Sequence, residues 1–477
     1  MAKFEKTKRV STGVQGLDSI LYGGLPRNRF SVVQGAPGTG KTTLALQYLL
    51  EGARRGERTL FVTLAQTEQE LRRAARAYGF SLAGVKVHAL EPTDIMTRLG
   101  RQQDVLPMNE VELGEVGDLI SGIVADVKPE RLVFDSVGDV RLLSDNAYVY
   151  RQQIIALRHF LEALECTSLF TDILEISHTD TDLQALADGV IRLERTTPLY
   201  GDKRYRLQVL KMRGMDFHGG FHDYSIRANG VEVYPRVVVT QVEERPVWQN
   251  LESGCNGLDE MFGGGPEPGT ACLFLGPTGV GKTTLATLYA HAAAERGLRS
   301  SLILFDERPA TFLKRAGALG LDLGAHLDAG VISLREIGVG VMSPGEFAHA
   351  VQLDVEAGAR LIVIDSLTGY LAAMPEERLL TAQLRELLSA LSGLGVLTLL
   401  TSAQHGLAGA QRDELDVTYL ADSVIQLDYF RREGYIRKSL AVLKKRYGAH
   451  GNAVRELIID GGVDVGDVVL STGAAET

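Results

Sequence analysis

The sequence predicts an α/β protein made of two tandem domains, each a mainly parallel sheet flanked by helices. Three observations carry this. Short apolar runs alternate with stretches of helical spacing, the arrangement of a parallel sheet covered on both faces. A glycine-rich loop stands between such a run and a helical stretch, and it does so twice. The whole pattern then recurs at a nearly constant offset in a chain of 477 residues.

The repeat is read from particular residues. Ser11–Asp18, STGVQGLD, returns as Ser253–Asp259, SGCNGLD, with Gly16 matching Gly257 at a shift of 241. Gly35–Thr42 returns as Gly276–Thr283 at the same shift, Asp135-Ser136 as Asp365-Ser366 at 230, and Lys211–Arg213 as Lys444–Arg446 at 233. A period this long is a duplicated domain, not a solenoid repeat. The first domain is placed at residues 1–240 and the second at 241–477, with the joint in the β-branched, charged stretch Val231–Trp248.

Within the first half, Phe30–Gln34 reads as a buried strand entering the glycine loop. Thr42–Arg54 has helical spacing, through Leu44, Leu46, Tyr48 and Leu49. Leu60–Leu64, Arg131–Asp135 and Thr167–Thr171 read as further strands. The second half repeats them at Leu273–Leu275, Ser301–Phe305, Leu361–Asp365 and Thr398–Thr401.

Composition narrows the function. Hydrophobic residues make up 45% and charged residues 23%, ordinary for a globular protein and not for a disordered one. Glycine supplies 52 of the 477 residues, above the usual ~7%. The net charge of −10 weighs against a protein that coats nucleic acid. Cys166, Cys255 and Cys272 are too few and too scattered for a disulfide framework or zinc site, and read as core or surface thiols. The opening MAKFEKTKRV lacks the apolar core of a secretory signal. No run of some 18 apolar residues suggests a membrane span. A cytoplasmic protein is expected.

The strongest chemical signal is the paired GxxxxGK[ST] loop, at Gly35–Thr42 and Gly276–Thr283. Such a loop turns backbone N–H groups and the positive end of a helix toward a phosphate chain. Gly38, Thr39, Gly40, Lys41, Thr42 and Thr43 would hold nucleotide in the first copy. Gly279, Val280, Gly281, Lys282, Thr283 and Thr284 would hold it in the second. The lysines would reach the outer phosphates, and Thr42 and Thr283 would ligate Mg²⁺. Asp135 and Asp365, each ending an apolar strand, are placed to hold the metal's hydration shell. ATP and Mg²⁺ are therefore the expected cofactors.

The copies differ where the chemistry would occur. Val62–Gln66 aligns without gaps on Ile303–Glu307. Asp306 and Glu307 are the catalytic candidates, able to orient and deprotonate an attacking water. The first copy has Ala65 and Gln66 there; glutamine can place a water but cannot take its proton. Glu68 is two residues away and would aim differently. The first site is therefore expected to bind nucleotide with weakened hydrolysis. Lys211 with Arg213, and Lys444 with Arg446, alternate onto one face of a late strand. They suit either a cation reaching a neighbour's γ-phosphate or a basic edge that blocks aggregation. His218 and His450 carry little weight. Asp172–Asp188 and Gln404–Asp422 read as polar loops on the ligand side.

At these residues the chain resembles the KaiC family of RecA-like ATPases. The carriers are STGVQGLD, GAPGTGKTT, RLVFDSV and VLKMRG in the first half. In the second they are GPTGVGKTT, LIVIDSLTGY, ADSVIQLDYF and LKKRYGAHGNAVREL. The resemblance implies two RecA-like P-loop domains, a homo-oligomer, usually a hexamer, and ATP bound between subunits. It implies that Lys211, Met212 and Arg213, with Lys444, Lys445 and Arg446, reach the adjacent subunit's nucleotide. It matches Asp306 and Glu307 to the family's acidic pair. Clock members also autophosphorylate at neighbouring hydroxyl residues before an ADSVI-like strand. Those positions here are Thr418 and Tyr419, so Thr418 is the one acceptor of the expected kind. Little chain follows Gly461–Asp467, so the activator-binding tail of clock members is not expected. A signalling ATPase with second-domain serine/threonine autokinase activity follows; a free-running oscillator does not.

Two other readings stay open at the level of sequence. A RecA-like DNA-associated ATPase would need basic channel loops, but Gln404–Thr418 has His405 and Arg412 against Asp413, Glu414 and Asp416. An ATP-sensing oligomeric scaffold with little turnover would suit the first copy.

Overall fold

The computed structural model describes residues 8–64, 66–90, 108–141, 147–173, 181–237, 249–374, 379–403 and 417–469. The chain divides into two compact units. Residues 1–197 and 203–236 form the first; residues 198–202 and 237–477 form the second.

The first unit opens with a short ribbon, β1 (Arg9–Val10) with β2 (Leu25–Pro26), around α1 (Gln15–Ile20). Its sheet is built from β3 (Phe30–Gly35), β4 (Thr59–Thr63), β5 (Val85–Ala89), β6 (Arg131–Asp135) and β7 (Thr167–Ile173). β8 (Gly189–Thr196), β9 (Arg204–Met212), β10 (Phe221–Arg227) and β11 (Gly230–Tyr234) complete it. The order across the sheet is β11-β10-β9-β8-β3-β7-β6-β4-β5. All pairings from β5 to β8 are parallel, and the last three strands run antiparallel. The helices are α2 (Lys41–Arg54), α3 (Glu68–Ala77), α4 (Met108–Val127), α5 (Val137–Arg141), α6 (Ala147–Ala163) and α7 (Thr181–Leu186).

The second unit repeats the plan. α8 (Asn256–Phe262) precedes β12 (Ala271–Gly276), α9 (Lys282–Glu295) and β13 (Arg299–Leu304). Then come α10 (Pro309–Ala318), α11 (Gly324–Asp328), β14 (Ile332–Glu336), α12 (Pro344–Glu356) and β15 (Ala359–Asp365). α13 (Leu367–Ala373), α14 (Leu380–Gly393) and β16 (Leu397–Ala403) lead to a 3₁₀ turn at Thr418–Leu420. β17 (Ser423–Arg432), β18 (Tyr435–Lys445), β19 (Arg455–Ile459) and β20 (Val463–Val468) close the sheet, ordered β14-β13-β15-β16-β12-β17-β18-β19-β20.

The central strands are apolar on both faces because both are covered. Along β15, Leu361 and Val363 enter one core cluster, and Ile362 and Ile364 enter the other. In β3, Val33 faces one core while Phe30 and Val32 face the opposite one. Alternation along a strand delivers this directly. It also aligns the carboxyl ends of the parallel strands, where α/β sheets take their ligands.

The expected strands around both glycine loops are present, as is the helix that follows each. One expectation changes. Val231–Tyr234, read as part of a joint, belongs to β11 at the edge of the first sheet, paired with β10 over Asp223–Arg227. Residues 238–248 of that joint lie outside the described residues. The three cysteines are buried free thiols. Among the described residues no helix is long and apolar enough to cross a membrane.

Candidate functional site

Each glycine loop leaves the carboxyl end of a central strand and enters a helix at its lysine. Gly40 is left-handed, with φ 87°, and a Cβ there would sit 2.8 Å from Ile226 Cδ1. Gly281 has φ 120°, and its Cβ would meet Ile459 Cδ1 at 2.6 Å. Only glycine keeps the loop open at these points.

The lysines lie buried along their loops. Lys41 Nζ donates to the Gly35 and Ala36 carbonyls at 2.7 and 3.1 Å. Lys282 Nζ donates to Gly276 and Pro277 at 2.8 Å each. Burial pulls both ammonium pKa values down, and a nearby carboxylate opposes it: Asp135, then Asp172, for Lys41, and Asp365 for Lys282. A phosphate chain entering the loop would replace carbonyl oxygens with full anionic charge, a stronger acceptor.

The hydroxyl–carboxylate pair expected for the metal is formed in both copies. Thr42 Oγ1 donates to Asp135 Oδ2 at 2.8 Å, and Thr283 Oγ1 to Asp365 Oδ1 at 3.1 Å. A second threonine, from the next strand, donates to the same carboxylate: Thr171 to Asp135 and Thr401 to Asp365. Burial raises the Asp365 pKa, while the bonds from Thr401 and Thr283 and the charge of Arg315 draw it back. Both donor sets are oxygen-only, the hard chemistry Mg²⁺ prefers. In the sequence Thr171 and Thr401 stand only as strand ends; their common shift of 230 with the aspartates is the signal that marks them.

Asp306 and Glu307 follow β13 after one residue, Phe305. Phe305 N donates to the Asp365 carbonyl at 2.8 Å, which brings the two strand ends together. Asp306 accepts a hydrogen bond from Ser366 Oγ. Glu307 pairs with Arg315 of α10 at 2.7 Å. Neither Ser366 nor Arg315 stood out in the sequence, because their partners come from other elements.

In the first copy, Ala65 lies outside the described residues. Gln66 is exposed and Glu68 pairs with Arg72 at 2.7 Å, so Glu68 serves its own helix. Ser136 Oγ, the counterpart of Ser366, donates to Asp139 at 2.7 Å. Asp172 is buried and accepts from Gln34 Nε2 at 2.9 Å, where the second copy has Ser402 and Leu275.

The late cations occupy a distinct place. Lys211 Nζ donates to the Gln184 and Ala185 carbonyls, and Arg213 Nη2 to Ala185 at 2.6 Å. Lys444 Nζ donates to Ala421 at 2.7 Å and to Thr418 at 3.3 Å. Lys445 Nζ donates to Phe262 at 2.7 Å, and Arg446 pairs with Asp422 at 2.9 Å. Met212 packs into the core. β9 ends at Met212 and β18 at Lys445, so Arg213 and Arg446 lie just past the ladder and not on a strand face with the lysines. Thr418 is half-buried on the 3₁₀ turn before β17. Residues 174–180 and 404–416 of the expected loops lie outside the described residues.

One further cluster of metal-ligating side chains lies among the described residues. His291 and Glu295 of α9 and His326 of α11 bring ligand atoms within 4.8 Å of one another. The 2.9 Å hydrogen bond between His326 and Glu295 accounts for the group, toward the end of α9 away from the glycine loop.

The family model described as "ATPase: KaiC" matches residues 10–238 and again 251–468. Circadian clock protein KaiC2 of Synechocystis sp. is 26% identical over 482 residues, covering 98% of this chain and 83% of that protein. Circadian clock protein KaiC3 of the same organism is 27% identical, covering 95% and 90%. Circadian clock oscillator protein KaiC of Synechococcus elongatus is 26% identical, covering 96% and 89%.

Proposed function

We propose, from the premise that this chain belongs to the KaiC family of ATPases, that it is an ATP-driven signalling protein whose turnover is concentrated in the second domain. The carrying observation is the unequal pair of sites. Both have the phosphate loop, lysine and threonine–aspartate pair, but only the second adds the adjacent Asp306 and Glu307.

In the second site, the amides of Gly279–Thr284 cradle the phosphates and Lys282 neutralises them. Thr283 and Asp365 hold magnesium, which, when bound, disperses charge on the phosphates. Glu307 accepts the proton of the attacking water, with Arg315 fixing its position, and Asp306, fixed by Ser366, keeps that water oriented. The first site binds ATP mainly to assemble the protein. We place the assembly as a hexamer in the cytoplasm, with Lys211 and Arg213, and Lys444, Lys445 and Arg446, nearest the neighbouring subunit's nucleotide; Met212, expected among them, is held in the core instead. Thr418 is the acceptor for autokinase activity, and mass spectrometry of ATP-treated protein should find phosphate there.

The test is phosphate release with oligomer size recorded in parallel. Lys282→Ala should abolish most turnover and leave the assembly intact; Lys41→Ala should mainly break the assembly. Turnover that follows Lys41 instead would overturn the assignment.

A further inference from the structure

The first copy lacks the acidic pair, yet it does not lack a carboxylate at that point. In the second copy, Asp306 arrives from the end of β13 and sits on the Ser366 hydroxyl. In the first, Asp139 arrives from α5 and sits on the Ser136 hydroxyl at 2.7 Å. Ser136 and Ser366 are equivalent, each directly after the aspartate that holds the loop threonine.

The residue aligned with Asp139, at the shift of 230, is Gly369. A Cβ on Gly369 would lie 2.7 and 2.8 Å from the two carboxylate oxygens of Asp306 and 2.6 Å from Phe305 Cβ. A side chain at that helix position and a carboxylate at that strand end therefore compete for one space. The second copy fills it from the strand and keeps glycine on the helix. The first has alanine, Ala65, at the sequence position aligned with Asp306, and aspartate on the helix. Helix capping explains a serine–aspartate contact three residues apart, but not why the twin position is a glycine facing Asp306.

We propose that Asp139 is the working carboxylate of the first site, moved from strand end to helix, and that it supports slow ATP hydrolysis there. This rests on the unequal-site reading above and deepens it: the first site's turnover is weakened, not absent. The water oxygen bonds to the γ-phosphorus. The bond to the β,γ-bridging oxygen breaks, and its electron pair leaves on ADP. Asp139 takes the water proton and passes it to the released phosphate. Gln66 places the water.

The test uses the full chain carrying Lys282→Ala, which silences the second site, with Mg²⁺ and ATP. Asp139→Asn keeps an acceptor for Ser136 but cannot take the proton. It should lower the remaining kcat at least about tenfold, leaving KM for ATP within about twofold of its parent. Combining Asp139→Gly with Ala65→Asp returns the carboxylate to the strand end and should recover most of the rate. Unchanged kcat in Asp139→Asn would overturn the proposal. So would a Lys282→Ala chain that releases no phosphate with Asp139 intact, or a rise in KM alone. The unequal-site reading fails separately, if Lys282→Ala keeps the full wild-type rate, and the Asp139 comparison still decides the proposal in that case.

Discussion

Asp365 is 9% exposed, and it must be ionised to hold a metal. Burial raises its pKa, so the folded chain holds the proton more readily than the unfolded chain does. The folded value stands above the unfolded one, so the stability contribution is fully present below the ordinary aspartate range, about 3.9. It is lost as pH rises through the raised value. Asp365→Asn should accordingly raise the melting temperature of the ligand-free protein at neutral pH. The gain should shrink as pH falls toward the ordinary aspartate value. The same variant should lose the stabilisation that Mg²⁺ and ATP give the second domain. Thermal melts from pH 4 to 8, with and without nucleotide, read both effects. A variant less stable than wild type at pH 7 would show that the bonds from Thr283 and Thr401 outweigh the burial cost.

At the scale of elements, the second site depends on α10 as much as on its strands. Arg315 lies on that helix and holds Glu307 at 2.7 Å. The position aligned with Arg315 in the first copy is Ala74, on α3. The strand-end base and its clamp are thus missing together. Arg315→Ala should lower kcat about tenfold through a misplaced carboxylate, with KM for ATP little changed; steady-state kinetics separates the two. These elements also mark what the sequence makes legible. The loops, their lysines and the strand-end aspartates sit in continuous motifs whose spacing is set by one strand, one turn and one helix. Arg315 and Ser366 meet their carboxylates across elements, which no spacing rule foretells; Asp139 meets Ser136 at ordinary capping spacing, and only the glycine at its twin position sets it apart. The alternation rule failed at Arg213 and Arg446 for a local reason. The β8–β9 and β17–β18 ladders are irregular, between Val190 and Ile191 and between Val424 and Ile425, and end before the arginine.

The whole molecule consists of two units, each with its own pair of core clusters and its own phosphate loop. A chain of this kind need not unfold in one step. Any ligand that binds only the folded form stabilises the unit it occupies, by about 2.7 kcal/mol at a hundredfold excess over Kd. Calorimetry with saturating ATP and Mg²⁺ should therefore show two nucleotide-shifted transitions. Lys41→Ala should abolish the shift of one, and Lys282→Ala the shift of the other. The net charge of −10 gives the companion expectation. Nucleic-acid binding grows from cationic contacts and falls steeply with salt, so duplex DNA should shift neither transition at 50 mM salt. A single transition moved equally by both lysine variants would mean that the two phosphate loops report to one cooperative unit. The division of labour between an assembling and a hydrolysing domain would then have no thermodynamic basis.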